Sequence, residues 1–198
     1  TIAKKHGTPL YVYSLRQMLR NLQALKEAFS SAKPGLEVHL AYAMKANPNP
    51  GILRTLFKEG CWIDAVSQAE VETALRVGFP AERIIFTGTS IGQKDFVQVL
   101  KHPGITVNID AYEQIEILDS ARKHLRIKRP VRVSVRWNPG LGRGFCSRTT
   151  TAGERSSDGT PIKFGVEDSR VIETFKKLKQ LGFQPVGLHQ HLGSGWTE

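Results

Sequence analysis

Residues 61–88 read CWIDAVSQAEVETALRVGFPAERIIFTG and predict a strand, a helix and a second strand. The first strand covers 62–66, the helix 69–77 and the second strand 84–87. Gly78 stands where the helix should end, because glycine readily adopts the left-handed conformation that terminates helices. A helix that joins two strands in this way is typical of neighbouring parallel strands.

The same alternation continues on both sides of this segment. Most of the predicted strands begin roughly 20–27 residues apart, which is the spacing of parallel strands joined by helices. An additional strand is predicted at Leu10–Tyr13, before a helix that Ser14 can N-cap. The remaining predicted strands cover 38–43, 105–109, 131–137 and 185–189, and the remaining helices cover 52–58, 94–100, 112–124 and 168–181.

Residues that could take part in catalysis or ligand binding lie at or just beyond the carboxyl ends of several different strands. A doubly wound sheet gathers its site at one switch point, whereas a barrel collects residues from many strands at one face. We therefore predict an α/β fold of the (β/α)₈ TIM-barrel type. Eight units need about 250 residues, so the 198 residues of this chain predict an incomplete barrel. The residues in question are Lys45, Ser67, Gly88, Asp110, Arg136, Asn138 and His191.

The composition, 40% hydrophobic and 23% charged, is typical of a globular protein. No apolar run approaches the roughly 18–20 residues that span a bilayer, and Thr1–Lys5 lacks the apolar core of a secretory signal. Cys61 and Cys146 are far apart without CxxC spacing, which argues against a disulfide scaffold or a zinc module. We expect a cytoplasmic protein with no membrane partner.

The chain carries 28 Lys and Arg against 18 Asp and Glu, a formal net charge of +10. Such an excess raises the possibility of nucleic-acid binding. However, the basic residues are scattered, and the densest cluster is only Arg126–Arg129. We attribute the charge either to a small anionic ligand or to this chain being one half of a larger, unbalanced chain, and we predict no nucleic-acid partner.

Four side chains are candidates from local pattern alone. Lys45 could form a Schiff base if its amine is desolvated, or it could be a solvated lysine at the rim. Arg136 could point inward to an anionic partner or outward along a helix. His189 and His191 point the same way on an extended segment, but a metal site needs a third ligand. A hydrogen-bonded pair is therefore favoured, and no metal is predicted.

Four further features carry a weak signal or have more than one interpretation. Glu70 is expected to be an exposed residue of a first helical turn, whereas Asp64 lies inside a strand. Gly193–Gly195 could contribute to a phosphate-binding turn. The loop over 139–163 is longer than ordinary connections, so it is either a functional lid or a disordered segment.

Taken together, these segments resemble the fold-type III pyridoxal-phosphate decarboxylases, and more closely the diaminopimelate decarboxylases. The resemblance covers essentially the whole chain and implies an alanine-racemase-like barrel. Several ordered motifs at the right spacings are more specific than any one of them. The motifs are GTPLYVY at 7–13, YAMKAN at 42–47, DAVS at 64–67, NID at 108–110, RWNPG at 136–140 and GLHQHLGSG at 187–195.

The resemblance implies roles at a pyridoxal-phosphate cofactor. Lys45 would hold the cofactor as a Schiff base and act as nucleophile and proton shuttle, and His191 would stack on the ring, so these two are the predicted catalytic residues. Ser194 would contact the phosphate and Arg136 would lie near the ring. Asp64 would support the site from behind, together with Ser67 and Glu70.

The implied reaction is decarboxylation of an amino acid, most closely meso-diaminopimelate to L-lysine and CO₂. Phe145 stands where the family usually has histidine, Arg148 replaces lysine and Ala152 replaces glycine. A related ornithine, lysine or arginine decarboxylase and a non-catalytic cofactor-binding barrel are therefore alternatives. The family also implies a homodimer. Residues 1–198 would be the N-terminal part of the cofactor-binding barrel, without its C-terminal units and β-domain, and inactive alone.

Overall fold

The computed structural model describes residues 1–32, 35–145, 150–153 and 164–194. The chain divides into two compact units, residues 1–40 and residues 41–198. No helix in these described ranges is long and apolar enough to cross a membrane.

The first unit contains helices α1 (Ile2–His6) and α2 (Leu15–Ala32). The hydroxyl of Ser14 accepts a hydrogen bond from the Gln17 N–H at 3.3 Å, so the predicted N-cap of α2 is confirmed. The predicted strand at Leu10–Tyr13 is wrong, since this segment is not a strand and its side chains are exposed. A segment with high strand propensity forms a strand only where a partner strand and a buried face are available.

The second unit alternates strands with helices. Its strands are β1 (Ala41–Ala43), β2 (Trp62–Ala65), β3 (Ile84–Phe86), β4 (Thr106–Ile109), β5 (Arg132–Asn138), β6 (Arg143–Gly144), β7 (Val166–Glu167), β8 (Gln184–His189) and β9 (Gly193–Ser194). Its helices are α3 (Pro50–Lys58), α4 (Gln68–Val77), α5 (Gln93–Leu100), α6 (Gln114–His124) and α7 (Val171–Gln180). Single 3₁₀ turns cover Met44–Ala46, Ala81–Arg83 and Asp168–Arg170.

The main sheet has a sequential, fully parallel strand order. Strands β1 to β5 pair in the order of the chain, and β8 continues the sheet beyond β5. A doubly wound sheet would instead reverse its order at a switch point. The sequential order is that of a barrel wall, so the predicted TIM-type barrel, incomplete in this chain, is confirmed.

The predicted element boundaries agree with the structure within about two residues for most strands. Strand β1 begins three residues later than the prediction of 38–43. The short strands β6, β7 and β9 were not predicted, because two residues show no periodicity. Part of the 139–163 loop lies outside the described residues, namely 146–149 and 154–163. Cys146 and Arg148 are in this part.

The two faces of the main sheet differ in polarity. The face that packs on α4 and α7 is apolar and fully buried, and it forms the core of the unit. The opposite, inner face is polar, and there Asn108 donates to the hydroxyl of Thr87 at 2.8 Å. The helix-facing residues are Ile63, Ala65, Ile84, Phe86, Val107, Ile109, Val133 and Val135.

Candidate active site

A cavity of about 370 Å³ lies at the carboxyl ends of the parallel strands. Residues from β2, β5 and β8, and from the turns after β1 and β3, line its wall. This is the end at which barrel enzymes carry their sites. All five residues predicted from the sequence line this one cavity, namely Lys45, Asp64, Arg136, His191 and Ser194.

Lys45 lies in the 3₁₀ turn that follows β1. Met44 beside it is fully buried, and the hydroxyl of Tyr42 donates to the Asn47 carbonyl at 3.2 Å, which closes the turn. Lys45 itself is exposed at the cavity wall. The reason is that β1 is the edge strand of the described sheet.

Arg136 points into the cavity wall and pairs with a buried carboxylate. Its Nη1 lies 3.2 Å from Asp110 Oδ1, and both side chains are less than a tenth exposed. The same Oδ1 accepts from the Gly165 N–H at 3.0 Å. Burial raises the pKa of Asp110 against the opposing effect of Arg136, and burial lowers the pKa of Arg136. Since desolvation dominates both shifts, this pair serves to place the guanidinium rather than to stabilise the fold.

Two further contacts hold Arg136. Its guanidinium lies over the Phe164 ring, 4.8 Å from the centroid, and its Nη2 donates to the Thr151 carbonyl at 3.4 Å. Phe164 and Thr151 both line the cavity. The orientation of Arg136 left open by the sequence is therefore inward.

The histidine pair also lines the cavity, as its two-residue spacing predicts. Burial and the charges of Arg136 and Lys45 lower the pKa of His191. Burial, followed by Arg136, lowers the pKa of His189 to about 4. Both imidazoles are therefore neutral at pH 7 and offer flat aromatic faces. No group of three or more His, Cys, Asp or Glu in the described part of the chain is arranged to hold a metal ion.

His189 and His191 differ in their partners. His191 Nδ1 lies 2.5 Å from the Thr151 hydroxyl oxygen. His189 Nδ1 is buried and has no hydrogen-bond partner among the described residues. His191 therefore has a hydrogen-bond partner of the kind that the sequence favoured, whereas the buried Nδ1 of His189 has none among the described residues.

Asp64 lines the cavity directly, whereas its expected companions cap a helix. The Ser67 hydroxyl accepts from the Glu70 N–H at 3.3 Å, and the Glu70 carboxylate accepts from the Val66 N–H at 2.7 Å. Glu70 lies in the first turn of α4, as predicted, but it is half-buried rather than exposed. Ser67 and Glu70 act on the site through Val66, which lines it.

Ser194 reaches the cavity because β9 pairs with β6. The pairing aligns Gly193 with Arg143 and Ser194 with Gly144, and the Phe145 N–H donates to the Ser194 carbonyl at 2.9 Å. The pairing of β6 with β9 therefore holds the loop over 139–145 next to Ser194. Gly195, the third residue of the predicted phosphate-binding turn, lies outside the described residues.

Five cavity residues were not predicted from the sequence, and one of them, Val66, lies between Asp64 and Ser67. Thr87 and Thr89 follow β3 at alternate positions, a spacing that could have placed both on the inner face. Thr151 and Phe164 come from the long loop and its end, where no periodicity signals their position.

The residues present fit pyridoxal phosphate. The cavity volume lies within the range of about 300–1,000 Å³ that is usual for small-ligand sites. Lys45 offers an amine, Arg136 presents a guanidinium in the wall, and Ser194 offers a hydroxyl donor. The neutral His191 ring offers a flat face for an aromatic ligand. A phosphorylated aromatic aldehyde matches this set of groups in charge, shape and reactivity.

Comparison with known proteins agrees with this fit. Residues 15–198 match the family described as pyridoxal-dependent decarboxylase, pyridoxal binding domain. The chain belongs to this family. Pyridoxal phosphate is the cofactor of this family.

Among curated relatives, the diaminopimelate decarboxylase of Methanothermobacter thermautotrophicus is 38% identical over 195 residues, which are 98% of this chain and 42% of that protein. The diaminopimelate decarboxylase of Bacillus subtilis is 33% identical over 98% of this chain and 42% of its own length. The chain therefore spans less than half the length of these relatives.

Solved structures show the same relationship. Diaminopimelate decarboxylase from Helicobacter pylori in complex with L-lysine has a TM-score of 0.86 and 28% identity, covering 100% of this chain and 47% of that one. The M. jannaschii enzyme in complex with L-lysine has a TM-score of 0.81 and 30% identity, covering 100% and 45%. An arginine decarboxylase from Paramecium bursaria Chlorella virus shares the fold. It is 18% identical and has a TM-score of 0.66, covering 89% of this chain and 42% of that one.

Proposed function

We propose that the whole protein is a pyridoxal-phosphate-dependent decarboxylase that converts meso-diaminopimelate to L-lysine and CO₂. The observation that carries this proposal is the convergence of Lys45, Arg136, His191 and Ser194 on one cavity at the carboxyl ends of the strands. The relatives with 30% identity or more over nearly all of this chain bear the name diaminopimelate decarboxylase. Two solved neighbours hold L-lysine, the product that the proposal requires.

Each residue has a distinct task in this proposal. Pyridoxal phosphate, when bound, supplies an electron sink for the electron pair left behind as a carboxylate departs as CO₂. Lys45 holds the cofactor covalently through Nζ, and the same amine can carry a proton to the reacting carbon. Neutral His191 stacks on an aromatic face without adding a charge beside Lys45. Ser194 donates its hydroxyl to the phosphate.

Asp64 and Arg136 set the charge balance of the wall. Asp110 already balances Arg136 at 3.2 Å, so Asp64 is the carboxylate left to face a cationic or hydrogen-bond-donating part of a ligand. Thr151 and Phe164 cover Arg136 from the loop side and so limit the access of water to it. The proposal includes a homodimer, which the family resemblance implies, and a cytoplasmic location, which the cysteine usage favours.

The test is CO₂ release by the whole protein loaded with pyridoxal phosphate. The panel contains meso-diaminopimelate, lysine, ornithine and arginine, assayed with wild type, Lys45→Ala and Lys94→Ala. Lys94 is an exposed lysine in the first turn of α5 and is the matched control. We expect release from diaminopimelate that Lys45→Ala abolishes and Lys94→Ala leaves unchanged. Borohydride reduction followed by peptide mass mapping should place the cofactor on Lys45.

The other outcomes separate the alternatives. Release from ornithine, lysine or arginine but not from diaminopimelate would assign a related decarboxylase. Cofactor bound at Lys45 with no release from any amino acid would assign a non-catalytic cofactor-binding protein. Activity that survives Lys45→Ala would refute the proposed role of this lysine.

A further inference from the structure

Thr151 contacts two residues of the proposed site at once. Its hydroxyl oxygen lies 2.5 Å from His191 Nδ1, and its carbonyl accepts from Arg136 Nη2 at 3.4 Å. Thr151 itself lines the cavity and is only partly exposed. One loop residue therefore bridges a side chain that follows β8 and a side chain on β5.

Asn138, at the end of β5, holds the loop segment that carries Thr151. Its Nδ2 donates to the Gly153 carbonyl at 2.9 Å, and its Oδ1 accepts from the Gly153 N–H at 2.9 Å. The same Oδ1 accepts from the Gly140 N–H at 3.2 Å. The amide thus pairs with Gly153 as a neighbouring strand would, and it joins Gly140 and Gly153 of the loop to the sheet.

A close backbone approach fixes the same segment from a second side. A Cβ added at Gly142 would lie 2.4 Å from the carbonyl oxygen of Ala152, a separation that real side chains do not adopt. Ala152 is 2% exposed. The segment over 150–153 is therefore packed against 138–142, and the position of Thr151 is determined by the backbone on both sides of it.

We propose that Thr151 is a positioning residue whose hydroxyl fixes the ring orientation of His191, and that Asn138 keeps Thr151 in place. An imidazole has a broad, roughly two-fold preference about its last side-chain torsion. A hydroxyl can hydrogen-bond Nδ1 in either tautomer, as donor or as acceptor. It therefore selects the ring orientation that brings Nδ1 to Thr151. The consequence for catalysis rests on the proposed function, but the contact itself does not.

The decisive measurement is ¹⁵N NMR of the histidine rings in the whole protein at neutral pH. The variants are Thr151→Val, which keeps the shape and removes the hydroxyl, and Thr151→Ser, which restores a hydroxyl. We expect one sharp set of His191 ring signals in wild type and in Thr151→Ser, and doubled or broadened signals in Thr151→Val, because the ring then samples both orientations. One sharp set of His191 signals in Thr151→Val would overturn the proposal. If Thr151→Val does not fold, the same criterion applies to Thr151→Ala.

Asn138→Ala tests the second step, because it leaves Thr151 and His191 intact. We expect it to change the His191 ring signals as Thr151→Val does, whereas Asn21→Ala, an exposed asparagine in α2, should leave them unchanged. Unchanged His191 signals in Asn138→Ala would overturn the role of Asn138 in holding the loop.

Activity then connects the contact to the reaction. Loss of one such hydrogen bond should lower kcat of Thr151→Val by about tenfold, and Thr151→Ser should recover most of it. A wild-type protein that binds cofactor but releases no CO₂ would refute the proposed function and leave the NMR result standing. Doubled or broadened His191 signals with unchanged kcat would overturn the catalytic consequence of the positioning.

Discussion

Acidification below pH 6.5 should destabilise the protein through His189. Burial, with help from Arg136, lowers the pKa of this histidine from its ordinary 6.5 to about 4 in the folded protein. Between these two values the unfolded chain binds a proton that the folded protein excludes. Stability is therefore lost as pH falls from 6.5 toward 4.

The size of the effect follows from the shift in pKa. Each pKa unit corresponds to about 1.36 kcal/mol, so the shift corresponds to about 3 kcal/mol at most. His189 lines the cavity, where solvent lessens the penalty, and Asp64 acts in the opposite direction. We expect about 2–3 kcal/mol between pH 7 and pH 4.

The assay compares urea unfolding of wild type and His189→Gln at a series of pH values. His189→Gln keeps a polar side chain and cannot gain a proton, so it should lose about 2 kcal/mol less than wild type on acidification. His191 titrates in both proteins, and the comparison therefore removes its contribution. Parallel pH profiles for the two proteins would refute the reasoning, as would an NMR titration that places the pKa of His189 near 6.5.

Two more stability predictions come from contacts outside the histidine pair. Asp119 accepts a hydrogen bond from Arg122 at 2.5 Å, and the pKa of Asp119 is lowered in the folded protein. Asp119→Asn should therefore lower the free energy of unfolding by about 2 kcal/mol above pH 4 and by less as pH falls. Urea unfolding measures this difference. Gly142→Ala should cost about 1–3 kcal/mol because the new Cβ would meet the Ala152 backbone at 2.4 Å. Gly92→Ala is its control, since the nearest atom there is 3.7 Å away, and equal thermal unfolding of the two variants would contradict the steric argument.

Strand–helix alternation was predictable from the sequence because the apolar runs are bounded by clear turn residues. The strand at 62–66 and the helix at 69–77 are correct within one residue, and Gly78 ends α4 at φ 115° as expected. Leu10–Tyr13 has the same β-branched and aromatic composition as a strand, yet it is not one. Composition alone does not reveal whether a partner strand is available.

The predicted site residues converge for a topological reason. Lys45, Arg136 and His191 follow the carboxyl ends of parallel strands, and a sequential parallel sheet brings those ends together. Their chemical roles came from the family resemblance and stay predictions. Thr151 escaped prediction because its position depends on hydrogen bonds between Asn138 and a glycine 15 residues away. Such a contact leaves no periodic trace in the sequence.

The helix-facing side of the main sheet stabilises the fold, whereas the inner side carries residues of the candidate site. Residues such as Ile63, Phe86 and Val133 bury their apolar surface against the helices, and this burial provides the free energy of folding. Replacing an inner-face residue such as Asp64 or Thr87 removes none of that apolar burial. The wall can therefore acquire a new ligand preference by mutation while the scaffold behind it keeps its stability, so specificity can diverge faster in this fold than architecture does.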